Sequence, residues 1–96
     1  MLTYQIEQEV RSCPSSPLNT VYTRKRRDAA ANLFAESAYY LIKCMSWLDT
    51  EAGKLAMERA NRIADSIAAN PVAPGRAVSF EWTCGDYRLR YLASNL

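Results

Sequence analysis

A chain of 96 residues, 49% hydrophobic and 23% charged, holds one small domain, residues 1–96, and is too apolar for a disordered tail. It contains no histidine, which removes imidazole as general base, metal ligand and neutral-pH switch. Twelve Lys and Arg against ten Asp and Glu leave a net charge of +2, too small to imply a nucleic-acid partner by bulk electrostatics alone.

The first residues have no basic n-region and no apolar h-region, and no run reaches the roughly 18 apolar residues of a membrane span. A cytoplasmic chain that begins at Met1 and does not engage a membrane is expected. Leu2, Ile6 and Val10 stand four apart with Glu7, Glu9 and Arg11 off that line, which predicts a short amphipathic helix over about 3–12. Pro14 and Pro17 then make residues 13–19 a linker or sharp loop. Cys13, Cys44 and Cys84 are odd in number and far apart, so they fit neither a disulfide framework nor a metal site and read as free thiols.

A second helix is predicted over 20–48, capped by Asn19 or Thr20. Ala30, Leu33, Phe34, Ser37, Ala38, Leu41, Cys44, Met45 and Leu48 form its core stripe. Asp49 or Thr50 caps a third over 50–69, with Ala56, Ala60, Ile63, Ala64 and Ile67 on one face. The small alanines allow close approach, so an antiparallel helical hairpin is expected. From residue 77 the period falls to 2. Val78, Phe80, Trp82 and Cys84 alternate with polar residues, as do Tyr87, Leu89 and Tyr91, which predicts a β-hairpin over 77–92. A type II′ turn at Gly85-Asp86 pairs Cys84 with Tyr87, Trp82 with Leu89, Phe80 with Tyr91, and Glu81 with Arg90. The expected fold class is α+β, mainly α: a helical hairpin with a short N-terminal helix and a C-terminal β-hairpin.

Three features carry the functional reading. Arg24, Lys25, Arg26 and Arg27 form a cationic run that, on a helix, would wrap around the axis, so that end must meet solvent or an acidic surface. It is either a solvated helix end or a phosphate-contacting patch, to which Arg76, Arg88 and Arg90 could add. Tyr39 and Tyr40, with Trp47, Trp82, Tyr87 and Tyr91, are either core or a stacking platform for single-stranded nucleic acid. Consecutive helical positions diverge by about 100°, so at least one of Tyr39 and Tyr40 is partly exposed. The third feature is the loop over 70–76, where Asn70, Pro71, Val72, Ala73, Pro74 and Gly75 place two X-Pro bonds between a helix end and a strand start. The segment is either a helix stop followed by a rigid turn or a docking element; a helix stop needs only one proline, so it does not explain the second. Glu36, Glu58, Asp65 and Glu81 lie on polar faces beside cations, and no Gly-rich phosphate loop is present. No catalytic residues, metal site or cofactor are expected, and the chain is read as non-enzymatic.

Asn-Pro-Val-Ala-Pro-Gly resembles the Gly-Pro-Ile-Ala-Pro-Gly loop with which lentiviral capsid proteins dock into a host cyclophilin; four of the six residues are identical. The resemblance implies that Pro71 occupies the pocket of a prolyl isomerase, flanked by Asn70 and Val72. Asn70, where the capsid loop has Gly, is the departure. In size and character the whole chain is similar to the accessory proteins of lambdoid phages that bind the host RecBCD nuclease. That resemblance implies a host-interaction protein of the bacterial cytoplasm. It would bind and inhibit or modulate RecBCD, protect phage DNA ends and favour recombination, and recruit a host prolyl isomerase through Pro71. The alternative is a small DNA- or RNA-binding module that uses Arg24 to Arg27.

Overall fold

The computed structural model describes residues 2–13, 15 and 20–96. In chain order the elements are β1 (Leu2–Val10), β2 (Thr20–Arg24), α1 (Arg27–Cys44), α2 (Glu51–Ala69), β3 (Ala77–Cys84) and β4 (Tyr87–Asn95). The strands form one antiparallel sheet in the order β2-β1-β4-β3, and the helical hairpin packs on one of its faces. Among the described residues no helix is long and apolar enough to cross a membrane.

The N-terminal helix expected over 3–12 is instead β1. Spacings of four, as at Leu2, Ile6 and Val10, fit a period of 2 as well as one of 3.6, so those positions could not decide between helix and strand. Tyr4 decides it: Tyr4 and Ile6 are both buried on the helix-covered face, which only alternation permits. The helix expected over 20–48 is also shorter at both ends. Thr20 to Arg24 form β2, a β-branched and aromatic stretch of the kind that favours a pleated strand. Helix and strand content are therefore roughly balanced, and the chain is not mainly α. The loop expected over 13–19 falls largely outside the described residues.

Helix α1 ends at Cys44 rather than Leu48 because residues 45–47 close it. Ser46 takes a left-handed φ of 59°, its N–H donates to Lys43 O at 2.9 Å, and the Trp47 N–H donates to Ile42 O at 3.1 Å. This is a Schellman closure with serine where glycine is usual. Thr50 Oγ1 then accepts from the Gly53 N–H at 3.0 Å and caps α2. The hairpin at Gly85-Asp86 takes the register read from the sequence, with Gly85 at φ 56°. Asp86 also holds the end of β1: its backbone carbonyl accepts from the Arg11 N–H at 2.6 Å and its carboxylate from the Ser12 N–H at 2.9 Å.

The core lies between sheet and helices. Phe80, Tyr91 and Tyr4 form an aromatic row across β3, β4 and β1, with ring centroids 6.0 and 6.5 Å apart. Trp82 is buried beneath α2, and its Nε1–H donates to Ala56 O at 2.8 Å. The opposite face of the sheet is polar: Glu9 pairs with Arg88, Arg88 with Glu81 at 3.9 Å, and Arg90 with Glu7 at 3.7 Å.

Two substitutions test the close of α1 and the start of α2 with opposite signs. A Cβ on Gly53 would stand 1.9 Å from Trp47 O. Gly53→Ala, favourable by roughly 1 kcal/mol in an ordinary helix, should here lower stability by about 1–3 kcal/mol through overpacking. Ser46→Gly relieves a left-handed residue and should raise stability by about 1 kcal/mol. Urea unfolding midpoints of the two variants should fall on opposite sides of the wild type.

Candidate functional site

The 70–76 loop is built rather than merely exposed. Asn70 ends α2, with its N–H and its Nδ2 both donating to Ser66 O, at 3.2 and 2.9 Å. Val72 turns inward and joins the core at 6% exposure, while Pro71, Ala73, Pro74 and Gly75 stay in solvent. Ala73 to Arg76 form a type II turn: the Arg76 N–H donates to Ala73 O at 3.1 Å, Pro74 holds the first corner, and Gly75 takes φ 77° at the second. The second proline therefore has a folding role. Asn95 of β4 clamps the whole segment. Its Nδ2 donates to Val72 O at 2.9 Å, its carbonyl accepts from the Gly75 N–H at 2.7 Å, and its N–H donates to Arg76 O at 2.9 Å.

Lys25, Arg26 and Arg27 share one cleft, whereas Arg24, Arg76, Arg88 and Arg90 do not line it. Arg24 ends β2 and lies over the Tyr22 ring, 5.7 Å from its centroid. Lys25 is exposed. Arg26 is the N-cap of α1 and pairs with Asp28 at 2.9 Å; Asp28 sits in the first turn, where a carboxylate offsets the cations beside the helix dipole. Arg27 donates through Nε to Ala68 O at 3.0 Å, and so supplies a cation to the end of α2, which has none in its own last turn. Lys25, Arg26, Arg27, Asp28, Tyr4 and Ala68 line a shallow polar cleft. Arg88 and Arg90 are on the open sheet face in ion pairs, and Arg76 lies at the loop end, so none of the three extends the run.

The aromatics divide in the same way. Trp82 and Tyr91 are core; Tyr39 and Tyr40 are both exposed and meet edge to face with centroids 6.4 Å apart. Tyr40 and Tyr22 line an apolar groove between α1 and the β1–β2 pair, with Leu33, Leu41 and Cys44. The sequence reading missed Tyr22 as a groove residue, and the signal was its β-branched neighbours in Thr-Val-Tyr-Thr. Glu36 sits on the rim of this groove, and Glu58 and Asp65 are exposed on α2. Among the described residues no three acidic, Cys or His side chains come together in a way that could hold a metal ion.

All three cysteines are free, with Cys13 and Cys44 exposed and Cys84 buried. Burial pushes the Cys84 thiol up, partly countered by Arg59. Tyr91 is pushed up to about 12 by burial and by the neighbouring Tyr4 phenol, against the pull of Arg27. No family model, no curated protein and no solved structure matches the chain.

The Tyr91 shift sets a sign. A phenol whose folded pKa lies above its unfolded value near 10 stabilises the fold below that pH and loses its contribution as pH rises through the folded value. Stability should therefore fall between pH 10 and about 12. Urea midpoints at about pH 9 and 11.5 should show this drop in the wild type and a smaller one in Tyr91→Phe.

Proposed function

We propose that the chain is a non-enzymatic host-interaction protein that presents the 70–76 loop as a preformed docking element. The observation that carries the reading is the clamp: Val72 in the core, the type II turn at residues 73–76 and three hydrogen bonds with Asn95, two donated and one accepted, hold Pro71 and Pro74 outward. A segment already ordered in its bound shape loses little conformational entropy on association. Pro71 is the residue that enters a cyclophilin-type pocket, with Asn70, Ala73, Pro74 and Gly75 as its exposed surroundings. Val72 contributes by anchoring rather than by contact. In keeping with the likeness to lambdoid phage accessory proteins, the larger target is the RecBCD nuclease, whose modulation protects phage DNA ends in the bacterial cytoplasm. Inhibition by association needs no chemistry, only a specific interface of roughly 800 Å² per partner.

Nucleic-acid binding through Arg24, Lys25, Arg26 and Arg27 is the second reading. It rests on the cleft that Lys25, Arg26 and Arg27 share; against it stand Asp28 in that cleft, the contact of Arg24 with Tyr22 and the bond from Arg27 to Ala68 O.

Titration with a purified bacterial cyclophilin should give saturable binding that Pro71→Ala abolishes and that Asn95→Ala weakens without unfolding the protein. Purified RecBCD, degrading linear duplex DNA with the protein present, should be slowed or altered in its response to Chi. Neutralising all four cations of the run should leave both effects in place. If instead that variant loses duplex binding that fell steeply with salt in the wild type, the second reading stands.

A further inference from the structure

The two edges of the sheet are unlike. The β2 edge is five residues long and runs into Lys25 and Arg26, a short and charged edge of the kind that resists pairing. The β3 edge is eight residues of Ala-Val-Ser-Phe-Glu-Trp-Thr-Cys, with no proline, lysine, arginine or glycine to blunt it. Among the described residues no strand pairs with its outer side.

The two-residue turn makes Cys84 and Tyr87 a hydrogen-bonded pair, so Cys84, Trp82, Phe80 and Val78 direct their backbone groups to β4. Thr83, Glu81, Ser79 and Ala77 direct theirs outward. The Thr83 carbonyl is taken: Arg59 Nη2 donates to it at 3.1 Å, which closes the edge at that end. Ala77, Ser79 and Glu81 remain exposed with outward N–H and C=O groups.

Above this edge runs a side of α2. Leu55, Arg59, Arg62 and Ser66 follow the i, i+4, i+7, i+11 spacing of one helical stripe, and the Arg59–Thr83 contact places that stripe along β3. Leu55, Arg59 and Arg62 are exposed, as is Val78 at 38% on the helix-side face of the strand. A strand laid against β3 would thus have one row of side chains beneath two guanidinium groups and the other beside Ser79 and Glu81.

We propose that the β3 edge, roofed by Arg59 and Arg62, is a docking site for an extended acidic segment of a partner protein, which adds to the sheet as a fifth strand. Backbone hydrogen bonds to Ala77, Ser79 and Glu81 supply the pairing. Carboxylates on alternate residues of the segment, on the helix side, meet Arg59 and Arg62. A second copy of this chain does not fit, because its β3 carries a single carboxylate, Glu81, and that lies on the face away from the helices. The site does not depend on the reading of the 70–76 loop.

The test uses a fluorescent eight-residue peptide alternating Glu and Thr, followed by anisotropy against the purified full chain. A Lys-Thr peptide and a Glu-Thr peptide N-methylated at alternate residues are the controls. Only the unmethylated Glu-Thr peptide should bind, and it should slow amide exchange at Ser79 and Glu81. The double variant Arg59→Glu, Arg62→Glu should weaken it at least about tenfold, a loss of roughly 1.4 kcal/mol. Ser79→Pro, which removes an outward N–H without touching a ladder bond, should abolish binding. Pro71→Ala should leave it unchanged. Equal binding of the Lys-Thr peptide, retention by Ser79→Pro, or no binding at millimolar peptide would each overturn the proposal.

Discussion

Without the pairing of β1 with β4 there would be no sheet for the helices to cover. That pairing joins the first strand of the chain to the last over nine register pairs, from Leu2 opposite Asn95 to Val10 opposite Tyr87, and makes them the centre of the sheet. Each also carries an edge strand, so the two-stranded ribbons β1–β2 and β3–β4 become one four-stranded surface only through this contact. An isolated ribbon is marginal in water; four strands with an apolar face covered by two helices are not. The closure is of the longest range the chain allows, and its entropy is recovered by burying Tyr4, Ile6, Leu89, Tyr91 and Ala93 against the helices.

Closing the sheet this way determines what each surface can offer. Asn95 reaches the 70–76 loop because β4 runs the full length of the sheet beside β3, so the loop is held by the last strand. The same strand places Arg88 and Arg90 opposite Glu9 and Glu7, which turns those cations inward upon the sheet face. The chain keeps Lys25, Arg26 and Arg27 together at one cleft, with Asp28 paired to Arg26. Its distinctive surfaces are the clamped proline turn and the open β3 edge.

Much of the second half of the chain was legible in the sequence. The hairpin register followed from a two-residue turn and period-2 alternation, both local signals, and α2 followed from its cap and alanine face. Residues 2–10 and 20–24 form strands where helix is expected, because spacings of four suit either period and because Tyr22 precedes a helix that begins only at Arg27. The cationic run changes meaning for the same reason: on a helix it would wrap the axis, whereas it spans a strand end, a turn and a helix start, where Arg24, Arg26 and Arg27 each meet a different partner and Lys25 is exposed. In the proline loop the residues are legible but not their directions, since nothing local shows that Val72 points into a core built from five other segments.

Local signals suffice for the centre of α1, for α2 with its Thr50 cap, and for the Gly85-Asp86 turn with its hairpin pairing, while the cap and both ends of α1 do not follow from them. Long-range packing is what makes residues 2–10 a strand, sets β1 beside β4 in the middle of the sheet, and selects the edge and the prolines that face solvent. Those outcomes rest on contacts between residues as far apart as Leu2 and Asn95. For such contacts short-range periodicity carries no information, and burial of the shared face selects the arrangement.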